Sequence, residues 1–75
     1  MRYLVILPRA WGAGDTVDKA RAVARKAGGY GRKKVNARIV FAFDPAKTPK
    51  AYVSLEGALC WEGDRPEEIE RIEEP

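Results

Sequence analysis

Residues 35–43 alternate in polarity: Val35, Ala37, Ile39, Phe41 and Phe43 fall on one parity, and Asn36, Arg38, Val40 and Ala42 on the other. A period of two is the pattern of a β-strand, whose successive side chains leave opposite faces. One face of this strand is wholly apolar, while the other is polar at its start and small and apolar towards its end. The apolar face has to be covered, so the rest of the chain must form a layer against this strand.

Several segments qualify as that cover or as its neighbours. Residues 2–7 are apolar at both parities after Arg2, which suits a strand buried on both faces in the middle of a sheet. Pro8 ends it, and residues 9–14, with Gly12 and Gly14, read as a loop. A helix follows, with Asp15 as N-cap, Asp18 in the first turn and an end near Ala27. At about 100° per residue, Val17, Ala20, Val23, Ala24 and Ala27 share a stripe, with Lys19 and Lys26 on one flank and Arg21 and Arg25 on the other. Such small apolar residues allow close approach to a sheet, so the helix is expected to lie on the 35–43 strand. Gly28 and Gly29 stop it, one of them in the left-handed conformation.

Asp44, Pro45 and Pro49 bracket a turn, and Ala51, Val53 and Leu55 alternate with Tyr52, Ser54 and Glu56. The sequence therefore predicts a hairpin between 35–43 and 50–56, after which Gly57 either turns the chain into a short strand over 58–62 or marks a bulge within one long strand. Residues 64–75 have a helix-like entry at Asp64, Arg65 and Pro66. Only Ile69 and Ile72 serve as anchors there, so they read as a short docked helix or an acidic tail. The expected fold is a small two-layer α+β unit of order β-α-β-β(-β)-α, with one main helix on a mostly antiparallel sheet of three or four strands. Residues 1–63 form its single compact domain and residues 64–75 an appendage.

Composition restricts the chemistry more than it restricts the fold. The 75 residues contain no histidine and one cysteine, Cys60, which excludes His/Cys zinc sites, Ser-His-Asp and Cys-His catalysis, and an intramolecular disulfide. Cys60 reads as a small buried hydrophobe and points to a reducing, cytoplasmic setting. The longest aliphatic run, Leu4 to Leu7, is far short of the roughly 20 residues a membrane span needs, and no secretory leader is expected. No cofactor motif is present: Gly12, Ala13 and Gly14 lack the further residues of a dinucleotide or phosphate loop, and Asp15 would repel an anion. The glutamates of 67–74 do not have the spacing of a calcium loop and read as a solvated acidic face.

Charge is distributed unevenly about a net of +3. Residues 1–50 hold twelve Lys and Arg against three Asp, whereas residues 51–75 hold two Arg against eight Asp and Glu. Tyr30, Arg32, Lys33 and Lys34 set three cations beside an aromatic ring, a combination that neutralises phosphates and stacks on a base. Lys19, Lys26 and Arg38 extend this patch, and a solvated basic loop is its plain alternative. Trp11, in a glycine-rich stretch, is equally a candidate interface anchor and a core filler; Trp61, near a strand end, is expected in the core.

The segment 38–45 resembles a strand and turn of RelE/HigB-like ribosome-dependent RNases, whose histidine-poor sites use Arg, Lys and Tyr. The resemblance covers eight residues, lacks the family's helix pair after the first strand, and carries over no catalytic residue. A thin core leaves little room for an enzyme pocket, so the expected function is a non-catalytic binding or regulatory module. Its partner is expected to be a protein first, through Trp11, the free sheet edges and the acidic end. Nucleic acid bound by the basic 19–38 region comes second, and an RNase third. A single covering helix would leave a bare face or edge, for which a homodimer is one solution.

Overall fold

The first strand, β1 (Arg2–Leu7), turns at Pro8 and Arg9 directly into a second, β2 (Ala10–Gly14), so the expected loop is a strand. The reason is visible in what lies above it. An ideal Cβ at Gly12 would meet the backbone nitrogen of Ala24 and come within 2.6 Å of the Ala20 carbonyl oxygen. One at Gly14 would come within 2.9 Å of the Ala20 nitrogen. These glycines are the seat of the helix α1 (Val17–Ala27), which runs antiparallel along β2, with Gly28 beside Ala10, Ala24 over Gly12 and Ala20 over Gly14. The computed structural model describes residues 1–72, and residues 73–75 of the expected tail lie outside the described residues.

The helix is capped by Thr16 and not by Asp15: Thr16 Oγ1 accepts from the Lys19 N–H at 3.1 Å. Asp15 is then free to pair with Arg2 at 2.8 Å. At the other end the Tyr30 N–H reaches the Arg25 carbonyl at 3.1 Å and the Gly29 N–H reaches that of Lys26 at 3.2 Å. This Schellman arrangement requires the left-handed Gly29 (φ 66°), as the sequence predicts.

The remaining strands are β3 (Arg38–Phe43), β4 (Lys50–Val53), β5 (Leu59–Glu62) and β6 (Glu67–Ile72). The main sheet is antiparallel with order β2-β1-β3-β6, and β4 and β5 form a separate two-stranded sheet. The fold is therefore α+β, with one helix on a four-stranded antiparallel sheet, and β1 is central as its apolar pattern requires.

Four other expectations need correction. The organising strand begins at Arg38, and Val35 packs on the core from the preceding segment without pairing. The helix rests on β2 and β1 and not mainly on β3. Moreover, the side of β3 that shares a core with Ala20 and Ala24 is that of Val40, not the continuous apolar row. Third, β3 and β4 do not form a hairpin. The Asp44 carbonyl accepts from Lys47 N at 2.9 Å and Thr48 N at 2.7 Å, and this turn takes the chain from the end of β3 to the face opposite the helix. There β4 pairs with β5 through the turn at 54–57.

The fourth correction concerns the C-terminal segment, where β6 is an edge strand of the main sheet and belongs to the same domain. Val40 pairs with Glu70 and Phe41 with Glu68, which leaves Ile69 as an extra residue in a bulge. An inserted residue turns a spacing of three into one that a strand can carry, which is why Ile69 and Ile72 mimic a helix.

Both sheet faces are covered. Val5, Leu7 and Val40 meet Ala20, Ala24 and Tyr30 on one side. Leu4, opposite Phe41, is fully buried on the other, where the β4–β5 hairpin lies. Among the described residues, each face of the main sheet thus has a covering layer, the helix on one side and the hairpin on the other. The hairpin is fastened at its base: Thr48, 2% exposed, donates through Oγ1 to the Asp64 carbonyl at 2.6 Å, and the Asp64 N–H reaches the Lys47 carbonyl at 3.0 Å. No helix among the described residues is long and apolar enough to cross a membrane.

Candidate binding surfaces

The residues expected in one patch separate into three places. Tyr30 is in the core and cannot stack on a base. Its hydroxyl accepts from the Arg9 N–H at 3.0 Å, and the Arg9 guanidinium lies 5.4 Å from its ring centroid, so it ties the β1–β2 turn to the helix end. Arg38 is also withdrawn, because its guanidinium is largely buried and pairs with Glu70 across the β3–β6 ladder.

Arg32, Lys33 and Lys34 remain exposed together on the loop after α1. Arg25 braces this loop, donating from one nitrogen to the Gly31 carbonyl at 2.9 Å and to the Lys33 carbonyl at 2.6 Å. Lys26 stands beside Gly31 around a shallow hollow, and Lys19 lies two turns away along the helix. None of the ion pairs among the described residues uses Lys19, Lys26, Arg32, Lys33 or Lys34. This is a basic belt without an aromatic platform.

Trp11 stands apart from that belt. It pairs with Ile6 across the β1–β2 ladder on the hairpin side of the sheet. Together with Val53 and Leu55 these residues line a cleft of about 360 Å³ under the tip of the β4–β5 hairpin. A second cleft of about 370 Å³ shares Ile6, Leu7, Pro8 and Gly57 with the first and continues past Ile39 to Ile72. Leu55, at the tip, has its whole surface open to solvent.

The alternation of residues 51–56 predicts Leu55 on the same strand face as Ala51 and Val53, and the turn removes it from that face. The missed signal is turn chemistry: Gly57 has φ 82°, its N–H reaches the Ser54 carbonyl at 3.0 Å, and Ser54 Oγ accepts from the Ala58 N–H at 3.2 Å. A serine followed by a glycine three positions on already marks a turn from 54 to 57, with Leu55 on it.

The expected core role of Trp61 is not met: it is 37% exposed, with the Arg65 guanidinium 5.4 Å from its ring centroid. Cys60 is half-buried, with its sulfur 3.7 Å from the Ala58 carbonyl oxygen. No group of three or more His, Cys, Asp or Glu among the described residues is placed to hold a metal ion. After β1 the chain makes a second strand and then one helix, unlike the helix pair that the RNase resemblance implies. No protein family, curated protein or solved structure matches the chain.

Proposed function

We propose that this chain is a non-catalytic binding module whose partner is a protein, seated in the cleft beneath the β4–β5 tip. The observation that carries the reading is the pairing of a fully exposed Leu55 with a cleft floor built from Trp11 and Ile6. An apolar side chain held out on a hydrogen-bonded turn gains nothing in the isolated chain. Covered by a partner, it contributes buried area beside a tryptophan, the residue type most often found to dominate interface energies. The cleft offers little for catalysis: Arg9 is the one titratable side chain lining it, and the Ser54 hydroxyl is engaged by Ala58.

A second reading rests on the basic belt. Lys26, Arg32, Lys33 and Lys34 are exposed cations on a braced loop and helix end, suited to nucleic-acid phosphates. Purification from the native cell with and without nuclease separates the two. For a protein partner the complex survives nuclease, and Trp11→Ala or Leu55→Asp weakens it by more than about 1 kcal/mol. If nuclease dissolves the complex and Arg32, Lys33 and Lys34→Ala lowers the log K against log[salt] slope by up to about three units, nucleic acid is the partner.

A further inference from the structure

The main sheet has two edges, and they are guarded unequally. β6 carries Glu67, Glu68 and Glu70 and is interrupted by a bulge, two devices that discourage another strand from adding. β2 reads Ala, Trp, Gly, Ala, Gly, with no charge, no proline and no bulge. Because a two-residue turn makes Leu7 and Ala10 the closing hydrogen-bonded pair, bonding alternates from there, and the N–H and C=O of Trp11 and Ala13 point away from β1. Among the described residues, no turn or loop backbone bond reaches these groups.

The helix supplies a wall along this edge. A Cβ at Gly12 would fall 2.8 Å from that of Val23, and one at Gly14 would fall 3.1 Å from that of Lys19, so both side chains leave α1 above β2. On the opposite flank Arg25 holds the loop leading to β3. Val23 is 49% exposed, and Lys26 lies on the same flank as Lys19, two turns on. The wall therefore presents one apolar side chain between two cations, about 6 Å and 4.5 Å away along the helix axis. A strand places same-face side chains about 6.8 Å apart, within reach of a lysine at either end.

We propose that the β2 edge and the Lys19, Val23 and Lys26 flank of α1 capture an extended acidic peptide as a fifth strand. The inference rests on the protein-partner reading above and names the segment that such a partner presents. Its backbone bonds Trp11 and Ala13; an apolar side chain covers Val23, and carboxylates at the positions two before and two after face the lysines. The cleft under Leu55 begins where this edge begins, at Ala10 and Trp11, so one chain can run from edge to cleft.

The test uses a short acetylated peptide of alternating Glu and Val as probe, with hydrogen exchange and amide shifts as readouts on the whole protein. Exchange should slow at Trp11 and Ala13. Ala13→Pro, which removes an outward donor from an edge strand and no ladder bond, should abolish binding. Lys19→Glu with Lys26→Glu should weaken it about tenfold or more while the fold is unchanged. The proposal is overturned if an N-methylated or an alternating Lys and Val peptide binds equally well, or if the probe leaves the Trp11 and Ala13 amides unchanged. It is also overturned if those amides become protected with rising protein concentration alone, which assigns the edge to a second copy. Partner binding that resists Ala13→Pro but falls with Leu55→Asp removes the edge assignment and keeps the cleft; the reverse pattern removes the cleft and keeps the edge.

Discussion

The two faces of the main sheet are closed by different means. On the helix face, glycine and alanine bring backbone against backbone, with Gly12 and Gly14 under Ala20 and Ala24. On the hairpin face, larger side chains such as Leu4, Ile6 and Ile39 meet a two-stranded sheet that leaves clefts between them. Close backbone contact leaves no slack, because neither side has a side chain that can rotate away. The looser face keeps open apolar surface, and the proposed partner site lies there. Stability is thus expected to be concentrated on one face and recognition on the other.

The largest effect should come from the tight face. Gly12→Ala inserts a methyl group against the Ala24 nitrogen and the Ala20 carbonyl, atoms that move only if the whole helix moves. The cost should reach or exceed the upper end of the ~1–3 kcal/mol usual for overpacking, read as a lower urea midpoint at unchanged m-value. A cost under about 1 kcal/mol would mean that the helix rides loosely and that the two faces are alike.

That contrast explains which parts of the fold were legible in the sequence. The centrality of β1, the span of α1 and the left-handed glycine at its end follow from apolar parity, helical period and capping chemistry, all of which are local. In sequence Gly12 and Gly14 look like loop residues, because a glycine needed for the approach of a distant helix is identical to one needed for a turn. The hairpin between β3 and β4 failed because the turn after Asp44 fixes only that the chain reverses; it does not fix which face of the sheet it returns on. Of the candidate site, the exposed cations 32–34 were legible as a charged run. The burial of Tyr30 and the pairing of Arg38 depend on Arg9 and Glu70, far away in sequence.

An intermediate effect is expected where the hairpin is fastened. Thr48→Val keeps the shape of the side chain but leaves the Asp64 carbonyl without its donor, a change worth roughly 1–2 kcal/mol. If the hairpin face is the looser one, amides of β4 and β5 should exchange faster through a local opening while those of β1 and β3 keep their protection. Thr48→Ser should restore the slower exchange. Uniform acceleration in all strands would mean that the two faces open as one unit and that the contrast between them does not extend to dynamics.

The smallest effect uses β6, where the bulge at Ile69 sets one ion pair on each face. Glu70 lies opposite Val40 on the helix face and pairs with Arg38, whose side chain is 19% exposed. Glu68 lies opposite Phe41 on the hairpin face and pairs with Arg71 at 2.6 Å, with side chains 39% and 47% exposed. A regular strand would send residues three apart to opposite faces; the extra residue lets Glu68 and Arg71 meet on one. The chemistry of the two pairs is the same and their solvation differs. Glu70→Gln strands a largely buried guanidinium and should cost about 1 kcal/mol or somewhat more, whereas Glu68→Gln should stay within about 0.5 kcal/mol and vanish in high salt. Measured side by side by chemical denaturation, equal costs would show that the edge strand is equally wet on both sides and that the tight face ends at β3.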